Sequence, residues 1–372
     1  MAHPRIAEVR TFLVNADDGG RAERPRGRNW LFVKLTTDTG ISGIGEGGGW
    51  PEVVEKGIHE LSHFLVGEDP FAIERLWLKL YDLLHAHGLT GAVRGGVLSA
   101  IDMALWDIKG KALGVPAYEL HGGKVRDAVP VYAHAGTPEQ ARALVARGIT
   151  AFKCPPSAAT LGALREAVGP EVEIGVHAHG EFTPGAAVAL GRACEPYAPA
   201  FYEEPTSPDD LDALAAVAAR VAIPLATGER LYSKWAFRDL LDRNIVALIQ
   251  PEITRVGGIL EQKKVAAMAE ARSVKVAPHD GSAGPVAEMA NIHLCASIPN
   301  LRFLEHRADD VPWRTTVVRG VIPDRDGALA VPDLPGLGIE LDEAECAQHP
   351  PRPVESYHYR LRAPEEIQRD RA

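Results

Sequence analysis

Seven ionisable residues recur at a nearly constant interval along the second half of this 372-residue chain. Each follows a short apolar run, and successive members are separated by 24, 26, 26, 23, 27 and 26 residues. The pattern indicates a repeated strand-helix unit with one polar group at the carboxyl end of each strand. A ring of parallel strands brings its carboxyl ends to one rim, so we expect all seven to face a single pocket. They are Lys153, His177, Glu203, Glu229, Glu252, His279 and Glu305.

Composition narrows the class of protein and of partner. Apolar residues make up 46% of the chain and charged residues 24%, which is typical of a globular protein. The formal net charge of −10 disfavours nucleic acid and anionic membranes as partners, because the summed field repels phosphate. Four widely spaced cysteines and the absence of a signal-like or membrane-spanning apolar run predict a cytoplasmic protein.

The pattern before the repeat differs, and it predicts three segments. Residues 1–120 are expected to form an α+β domain, with an antiparallel meander followed by helices. Residues 121–320 carry the strand-helix repeat, and residues 321–372, rich in Pro and Gly, are expected to fold back on the first domain. The predicted strands cover 5–14, 30–37 and 41–46, and the predicted helices cover 51–66, 70–87 and 96–113.

Several helices of the repeat are predicted to begin at a Ser or Thr followed by Pro. Such a residue can cap the helix while the proline occupies its first turn. The candidates are Thr137, Thr183 and Ser207.

Three stretches make the chain resemble the enolase superfamily, specifically its mandelate racemase and muconate lactonizing group. Residues 99–116 (SAIDMALWDIKGKALGVP) look like the helix that leads from cap to barrel. Residues 201–205 (FYEEP) and 226–231 (ATGERL) look like two metal-ligand strands. Within the group, the segments HGEFTP at 179–184 and APH at 277–279 are most similar to galactonate and mannonate dehydratases.

The resemblance implies a fold and a reaction. The expected fold is a (β/α)7β-type modified TIM barrel, with an N-terminal α+β capping domain that the C-terminal tail completes. The expected reaction is the metal-dependent dehydration of an acid sugar, a small carboxylate, to a 2-keto-3-deoxy acid. Removal of the proton next to the carboxylate gives an enediolate, which concentrated positive charge must stabilise. Relatives are commonly oligomeric, so a homo-oligomer is also expected.

The family pattern implies three carboxylate metal ligands, and two are present, Glu203 and Glu229. The third should be an Asp, but this chain has His177. Mg²⁺ prefers oxygen, and a neutral imidazole removes one negative charge from the site. The sequence therefore predicts weaker Mg²⁺ binding, use of Mn²⁺, Fe²⁺ or Zn²⁺ instead, or a site without metal.

The other rim residues receive catalytic roles. Enolase-superfamily sites use a Lys or His base, and the candidate base is His279, with Glu252 one strand earlier to orient it. His179 is placed to protonate the departing hydroxyl, because residues two apart on a strand share a face. Lys153 could offset the substrate carboxylate. Glu305 could bind that carboxylate or hold another donor.

Weaker signals suggest substrate contacts. Trp50 lies where a cap loop would close over the barrel, and Arg28 and Arg230 are plausible partners for an anion. Many relatives carry a second lysine where this chain has Pro155. That absence disfavours racemisation by two bases and favours chemistry at His279.

Three alternatives to dehydration remain open. An epimerase, racemase or cycloisomerase of the same superfamily would share enolisation but lose no hydroxyl. A barrel that has lost catalysis is suggested by the missing Asp and the missing lysine. A zinc hydrolase is suggested by the His-x-His pair formed by His177 and His179. The sequence does not identify the sugar.

Overall fold

The computed structural model describes residues 4–17, 28–320 and 324–353. Its first unit, called the cap here, is a three-stranded antiparallel meander followed by helices. The first two strands align Val9 with Leu35 and Thr11 with Val33. The cap comprises β1 (Ile6–Asn15), β2 (Asn29–Thr37), β3 (Ser42–Gly47), α1 (Pro51–Leu61), α2 (Ile73–Ala86), α3 (Gly91–Leu113) and α4 (Ala117–Leu120).

Helix α3 packs directly on β3, and glycines make this possible. A Cβ at Gly45 would lie 1.9 Å from the carbonyl oxygen of Ala100, and one at Gly43 would lie 2.2 Å from that of Ala104. No larger residue fits at these positions without moving the helix. Helix α3 begins five residues before the predicted start, because the chain already turns at Gly91, whose φ is +67°.

The repeat forms a ring of parallel strands. Within the described residues, the order runs β10-β9-β8-β7-β6-β5-β4, and β11 pairs with β4. A parallel bridge from Val276 to Leu301 joins the last two members. The strands are β4 (Ala128–His134), β5 (Ala151–Cys154), β6 (Glu173–His177), β7 (Phe201–Glu203), β8 (Leu225–Thr227), β9 (Leu248–Ile249), β10 (Lys275–Val276) and β11 (Leu304–Glu305).

One helix connects each pair of successive strands. Thr137 and Thr183 cap α5 and α7 as predicted, since their side chains accept from the backbone N–H groups of Gln140 and Ala186. Ser207 does not cap α8; the carboxylate of Asp210 does. The helices are α5 (Pro138–Ala146), α6 (Ala158–Val168), α7 (Pro184–Cys194), α8 (Leu211–Ala218), α9 (Ser233–Asp242), α10 (Gly258–Glu270) and α11 (Pro285–Ser297).

The last described segment contacts both units. β14 pairs antiparallel with β4, and β15 pairs with β12. Glu343 in α12 forms ion pairs with Arg10 and Lys34 of the cap strands, and Asn29 exchanges hydrogen bonds with the backbone of Arg352. The elements are β12 (Val318–Arg319), β13 (Asp324–Arg325), β14 (Ala328–Ala330), β15 (Glu340–Leu341) and α12 (Glu343–Cys346).

The ring has a small apolar interior below its carboxyl end. Buried side chains such as Tyr132, Phe201 and Phe303 fill it, with the ring centroids of Tyr132 and Phe303 4.5 Å apart. The carboxyl end of the strands is called the barrel mouth here. Its ionisable groups therefore lie above a layer of packed aromatic rings. No helix in the described part of the chain has the length and apolarity needed to cross a bilayer.

Candidate active site

A histidine held between two carboxylates dominates one side of the barrel mouth. His279 follows β10, and its Nδ1 lies 2.6 Å from Glu252 Oε2. Its Nε2 lies 2.7 Å from Glu229 Oε2 and 3.7 Å from Glu305 Oε2. With its Nδ1–H donated to Glu252, the imidazole presents Nε2 to the interior of the mouth. This is the geometry of a general base oriented by a carboxylate.

A buried lysine holds the centre of the mouth. Lys153, at the end of β5, places its Nζ 2.6 Å from Glu203 Oε1 and 3.2 Å from Glu305 Oε1. The other oxygen of Glu203 accepts a hydrogen bond of 2.7 Å from the amide of Gln250. Lys153 is 1% exposed, so it is a fixed positive charge shared by two carboxylates.

A second group of polar side chains lies on the adjacent side. His177, His179, Glu204 and Glu229 each offer one donor atom, and these atoms lie within 4.8 Å of one another. Glu203, which was predicted to bind metal together with His177 and Glu229, is not in this group. His177 Nε2 lies 3.4 Å from Glu203 Oε1, but it is buried without a hydrogen bond. A buried nitrogen without a partner, beside two carboxylates, suits a metal ion.

Two members of the group owe their position to an unusual backbone. His179 and Glu204 both adopt the left-handed conformation, with φ of 54° and 44°. Non-glycine residues enter this region at a cost, and such residues cluster at functional sites. The two turns hold each other, because Gly180 donates its backbone N–H to the Glu204 carbonyl at 2.7 Å. Strand alternation alone would not bring both side chains to the mouth.

Two carboxylates at the mouth, Glu229 and Glu305, remain ionised despite burial. Burial raises the pKa of Glu229 and Glu305, but the nearby cations outweigh it, so both pKa values lie well below the ordinary range. Burial lowers the pKa of Lys153, but Glu203 and Glu305 outweigh this effect and hold it above its usual value. Burial opposes charge on His279 too, yet Glu229 and Glu305 raise its pKa well above the ordinary value.

Two other groups shift in the opposite sense. Burial lowers the pKa of His177 to about 4, so its imidazole is neutral near pH 7 and can donate a lone pair. Burial, followed by repulsion from Glu229, raises the pKa of Glu204 to about 7. Arg230 counteracts this through hydrogen bonds, the shortest being 2.6 Å from Nη2 to Glu204 Oε2.

The structure brings all seven periodic residues to the mouth and adds three that the sequence did not suggest. His134, at the end of β4, contacts Glu305 through Nε2. Gln250 binds Glu203, and Glu204 joins the group around His177. The strand-end rule would have found His134, because it closes the first strand of the ring.

The three weaker substrate predictions have different outcomes. Arg230 lies at the mouth, where it also donates to the His179 carbonyl at 2.8 Å. Trp50 is 59% exposed and precedes α1 on the cap. Arg28 donates to the carbonyl of Ala16 and pairs with Asp310, while its Nη1 is buried without a hydrogen bond.

Comparison with known proteins gives two family matches. Residues 136–345 match the enolase C-terminal domain-like family, and residues 26–122 match the N-terminal domain of mandelate racemase and muconate lactonizing enzyme. The chain belongs to the mandelate racemase and muconate lactonizing enzyme family of the enolase superfamily. The predicted superfamily and fold class are thereby confirmed, and enzymes of this superfamily use a divalent metal.

Similar proteins of stated activity match most of the chain. It is 36% identical to a D-galactonate dehydratase of Ralstonia nicotianae over 85% of this chain and 89% of the relative. It is 37% identical to one of Variovorax paradoxus, over 87% and 92% respectively. The predicted similarity to galactonate dehydratases is therefore confirmed.

Solved structures agree with the fold. A mandelate racemase/muconate lactonizing enzyme-like protein from Roseovarius sp. TM1035 matches with a TM-score of 0.87 and 35% identity, covering 94% of this chain and 96% of that one. The 3,6-anhydro-D-galactonate cycloisomerase from Zobellia galactanivorans matches with a TM-score of 0.86 and 29% identity, over 93% and 99%. The same scaffold thus carries different reactions.

Proposed function

We propose that this protein is a metal-dependent hydro-lyase that converts an acid sugar to its 2-keto-3-deoxy acid. The observation that carries the proposal is the imidazole of His279, oriented by Glu252 at 2.6 Å and facing the carboxylate group at the barrel mouth. The names of the relatives support the reaction class.

The proposed sequence of steps uses four side chains. Glu229 and Glu305 favour the protonated form of His279, so its imidazole must first lose the proton on Nε2. His279 Nε2 then takes the proton from the carbon next to the substrate carboxylate, and Glu252 stabilises the imidazolium that forms. Lys153 offsets negative charge on the carboxylate as the enediolate develops. The C–O bond at the next carbon then breaks, and His179 protonates the departing hydroxyl to give water. The resulting enol gains a proton from solvent at that carbon, loses the proton of its own hydroxyl, and becomes the keto acid.

The proposal is tested with a panel of aldonic acids, each supplied with Mg²⁺, Mn²⁺, Fe²⁺ or Zn²⁺. We expect a 2-keto acid from at least one sugar, detected as its semicarbazone. In deuterated water the product should carry deuterium at C3. If no panel member yields a keto acid with any ion, the proposal of dehydration is wrong.

The metal site is also proposed. His177 and Glu229 belong both to the predicted ligand set and to the observed group, so we propose them as ligands. When bound, a divalent ion would supply the positive charge that the enediolate requires. Glu203, Glu204 and His179 are the candidates for the remaining donors; Lys153 and Gln250 contact Glu203, and Arg230 contacts Glu204.

Imidazole donors change the expected ion. A site that includes an imidazole nitrogen suits Mn²⁺, Fe²⁺ or Zn²⁺ better than Mg²⁺, which prefers oxygen ligands. We expect calorimetry to show tighter binding of Mn²⁺ than of Mg²⁺, and replacement of His177 by Asp to narrow that difference. Unchanged ion preference in His177→Asp would exclude His177 as a ligand.

His179 has two assignments that exclude each other, a proton donor and a metal ligand. As a proton donor, its replacement in His179→Asn should abolish elimination while α-proton exchange with deuterated water and Mn²⁺ affinity persist. As a ligand, the same change should weaken Mn²⁺ binding and reduce exchange and elimination together. Mn²⁺ affinity is also compared between Glu203→Gln and Glu204→Gln. The variant that loses affinity identifies which of the two glutamates is a ligand.

Cycloisomerisation is a second candidate, supported by the structural match to the Zobellia galactanivorans enzyme. It would share proton abstraction by His279 but release no water. Proton NMR of the product from each panel member separates the two reactions. An isomer with unchanged mass would favour cycloisomerisation.

A homo-oligomer and a cytoplasmic location complete the proposal. The reaction class supports the cytoplasmic location, since acid-sugar breakdown is intracellular metabolism. Native mass by light scattering and cell fractionation test these two statements independently of catalysis.

A further inference from the structure

The carboxylate that orients His279 is itself held by a neighbour. Glu252 Oε2 contacts His279, while Oε1 accepts two hydrogen bonds from Thr254. One comes from the Thr254 backbone N–H at 3.1 Å and the other from its hydroxyl at 2.9 Å. Thr254 is 2% exposed, so water does not replace these donors. Both oxygens of Glu252 therefore have fixed partners.

Thr254 also forms a direct contact between barrel and cap. Gly48, immediately after β3, donates its backbone N–H to the Thr254 carbonyl at 2.9 Å. A Cβ at Gly48 would lie 2.1 Å from Thr254 Oγ1. The cap loop thus lies against the same hydroxyl that binds Glu252, and only a glycine leaves that hydroxyl in place.

Strand β3 of the cap also contacts the segment that follows His279. Glu46, in β3, accepts hydrogen bonds from the backbone N–H groups of Gly284 and Ala287, where the loop after His279 enters α11. The end of β3 therefore contacts both the loop that follows Glu252 and the segment that follows His279. A cap that only covered the mouth would need neither contact.

We infer that Thr254 is a positioning residue, through which the cap loop at Gly48 fixes the Glu252–His279 pair. The inference rests on the proposed role of His279 as the base. A hydroxyl donor keeps Glu252 in the plane that points its other oxygen at Nδ1, and so fixes the direction of Nε2. Small errors in such a direction cost large factors in rate.

The first test compares Thr254→Val with Thr254→Ser. Valine keeps the shape but lacks the hydroxyl, and serine keeps the hydroxyl. We expect Thr254→Val to lower kcat and the α-proton exchange rate about 10- to 100-fold with little change in KM, and Thr254→Ser to restore most of both. Thr37→Val, which loses a buried hydroxyl contact in the cap, is the matched control and should leave kcat unchanged. Equal rates in the serine and valine variants, or equal effects of Thr254→Val and Thr37→Val, would overturn the inference.

The second test acts from the cap. Gly48 is not in the left-handed region, so alanine is allowed by its backbone and acts through its contact with Thr254. Gly48→Ala should reproduce the loss of kcat, and the double variant with Thr254→Val should lose no more than either single variant. Gly185→Ala, whose Cβ would meet nothing within 4 Å, is the control. If the kcat losses of the two single variants multiply in the double variant, Gly48 and Thr254 act on kcat independently, and the inference is contradicted.

A third measurement does not require a substrate. The Nδ1–H proton of His279 should give a downfield NMR signal, assigned by its loss in His279→Asn. Thr254→Val and Gly48→Ala should shift or broaden this signal, whereas Thr254→Ser and Gly185→Ala should not. Shifted signals in a protein that dehydrates no sugar would refute the proposed function and retain the positioning role. An unmoved signal would refute the positioning role alone.

Discussion

Buried carboxylates occur in two regions of this molecule and behave in opposite ways. At the barrel mouth, Glu229 and Glu305 contact cationic side chains, and their pKa values lie well below the ordinary range despite burial. At the joint between cap and barrel, Glu46 and Asp102 are equally buried, but burial raises their pKa values to about 7 and about 8. Residue type and burial are therefore not enough to define the charge.

The difference lies in the partners. The joint carboxylates accept hydrogen bonds from backbone N–H groups at the beginnings of helices. Glu46 accepts from Gly284 and Ala287 at α11. Asp102 accepts from Leu260 at α10. Such amides lower the free energy of the ionised form, but less than burial raises it. Glu229 and Glu305 instead have cationic side chains beside them. A site that must bind cations needs ionised groups, whereas the joint holds its carboxylates with backbone donors.

The largest expected effect comes from removing the base that lies among the mouth carboxylates. His279→Asn should lower both α-proton exchange and dehydration by about 10²- to 10⁴-fold, the range attributed to a positioned general base. Exchange is measured by NMR in deuterated water. His87→Asn, at an exposed position, is the control. Full exchange activity in His279→Asn would show that another group is the base.

The next effect concerns the stability of the mouth. Lys153→Met leaves Glu203 and Glu305 buried without their shared cation, and removing one partner of a buried pair typically costs about 3–5 kcal/mol. Urea unfolding should show that loss near pH 7. Lys124→Met, at a surface lysine paired with Asp127 and Asp333, should change stability far less. Similar losses in both variants would remove the contrast between the two regions.

A third effect tests the joint through pH. Glu46 has a folded pKa of about 7 against 4.5 for the ordinary residue. The folded state therefore holds the proton more tightly, so its stability is fully present below about pH 4.5 and declines until about pH 7. At about 1.4 kcal/mol for each pH unit, the decline is about 3 kcal/mol.

Glu46→Gln does not titrate, so its stability relative to the wild type should rise by that amount between pH 4.5 and 7. Urea unfolding at intervals of half a pH unit measures this difference. A flat difference across that range would mean that Glu46 is ionised in the folded state, as Glu229 and Glu305 are.

The smallest effect lies outside both regions. Trp50 is 59% exposed, so Trp50→Ala should change the free energy of unfolding by less than about 0.5 kcal/mol. A rise in KM for the best sugar acid, with kcat unchanged, would indicate that the cap loop contacts substrate. Unchanged KM would remove Trp50 from the proposed site.

The sequence predicted the positions of the mouth residues better than their partners. Strand-end spacing identified Lys153 and His279 because the geometry of parallel strands is regular. It missed Glu204, because a left-handed turn after β7 returns that side chain to the mouth. It did not predict the pairing of Arg28 with Asp310, 282 residues away, because such a contact leaves no local signal. A local sequence pattern does not predict contacts between residues that are so far apart in the chain.

The helices show the same limit on a smaller scale. The Thr-Pro signal marked the starts of α5 and α7 correctly, because capping is a contact within one turn. The Ser-Pro signal at Ser207 failed because Asp210, three residues later, is the cap of α8. Two capping residues in one short loop cannot be ranked without knowing where the helix packs.

The ion pair between Lys34 in β2 and Glu343 in α12 has a consequence for synthesis of the chain. The two residues are 309 positions apart, and the bond between their side chains is 2.7 Å long. At a ribosomal rate of roughly 5–20 residues per second, Glu343 follows Lys34 by about 15 to 60 s. During that time the cap meander lacks the segment that covers it. A nascent chain paused before Glu343 should therefore be more sensitive to protease in the cap than the finished protein.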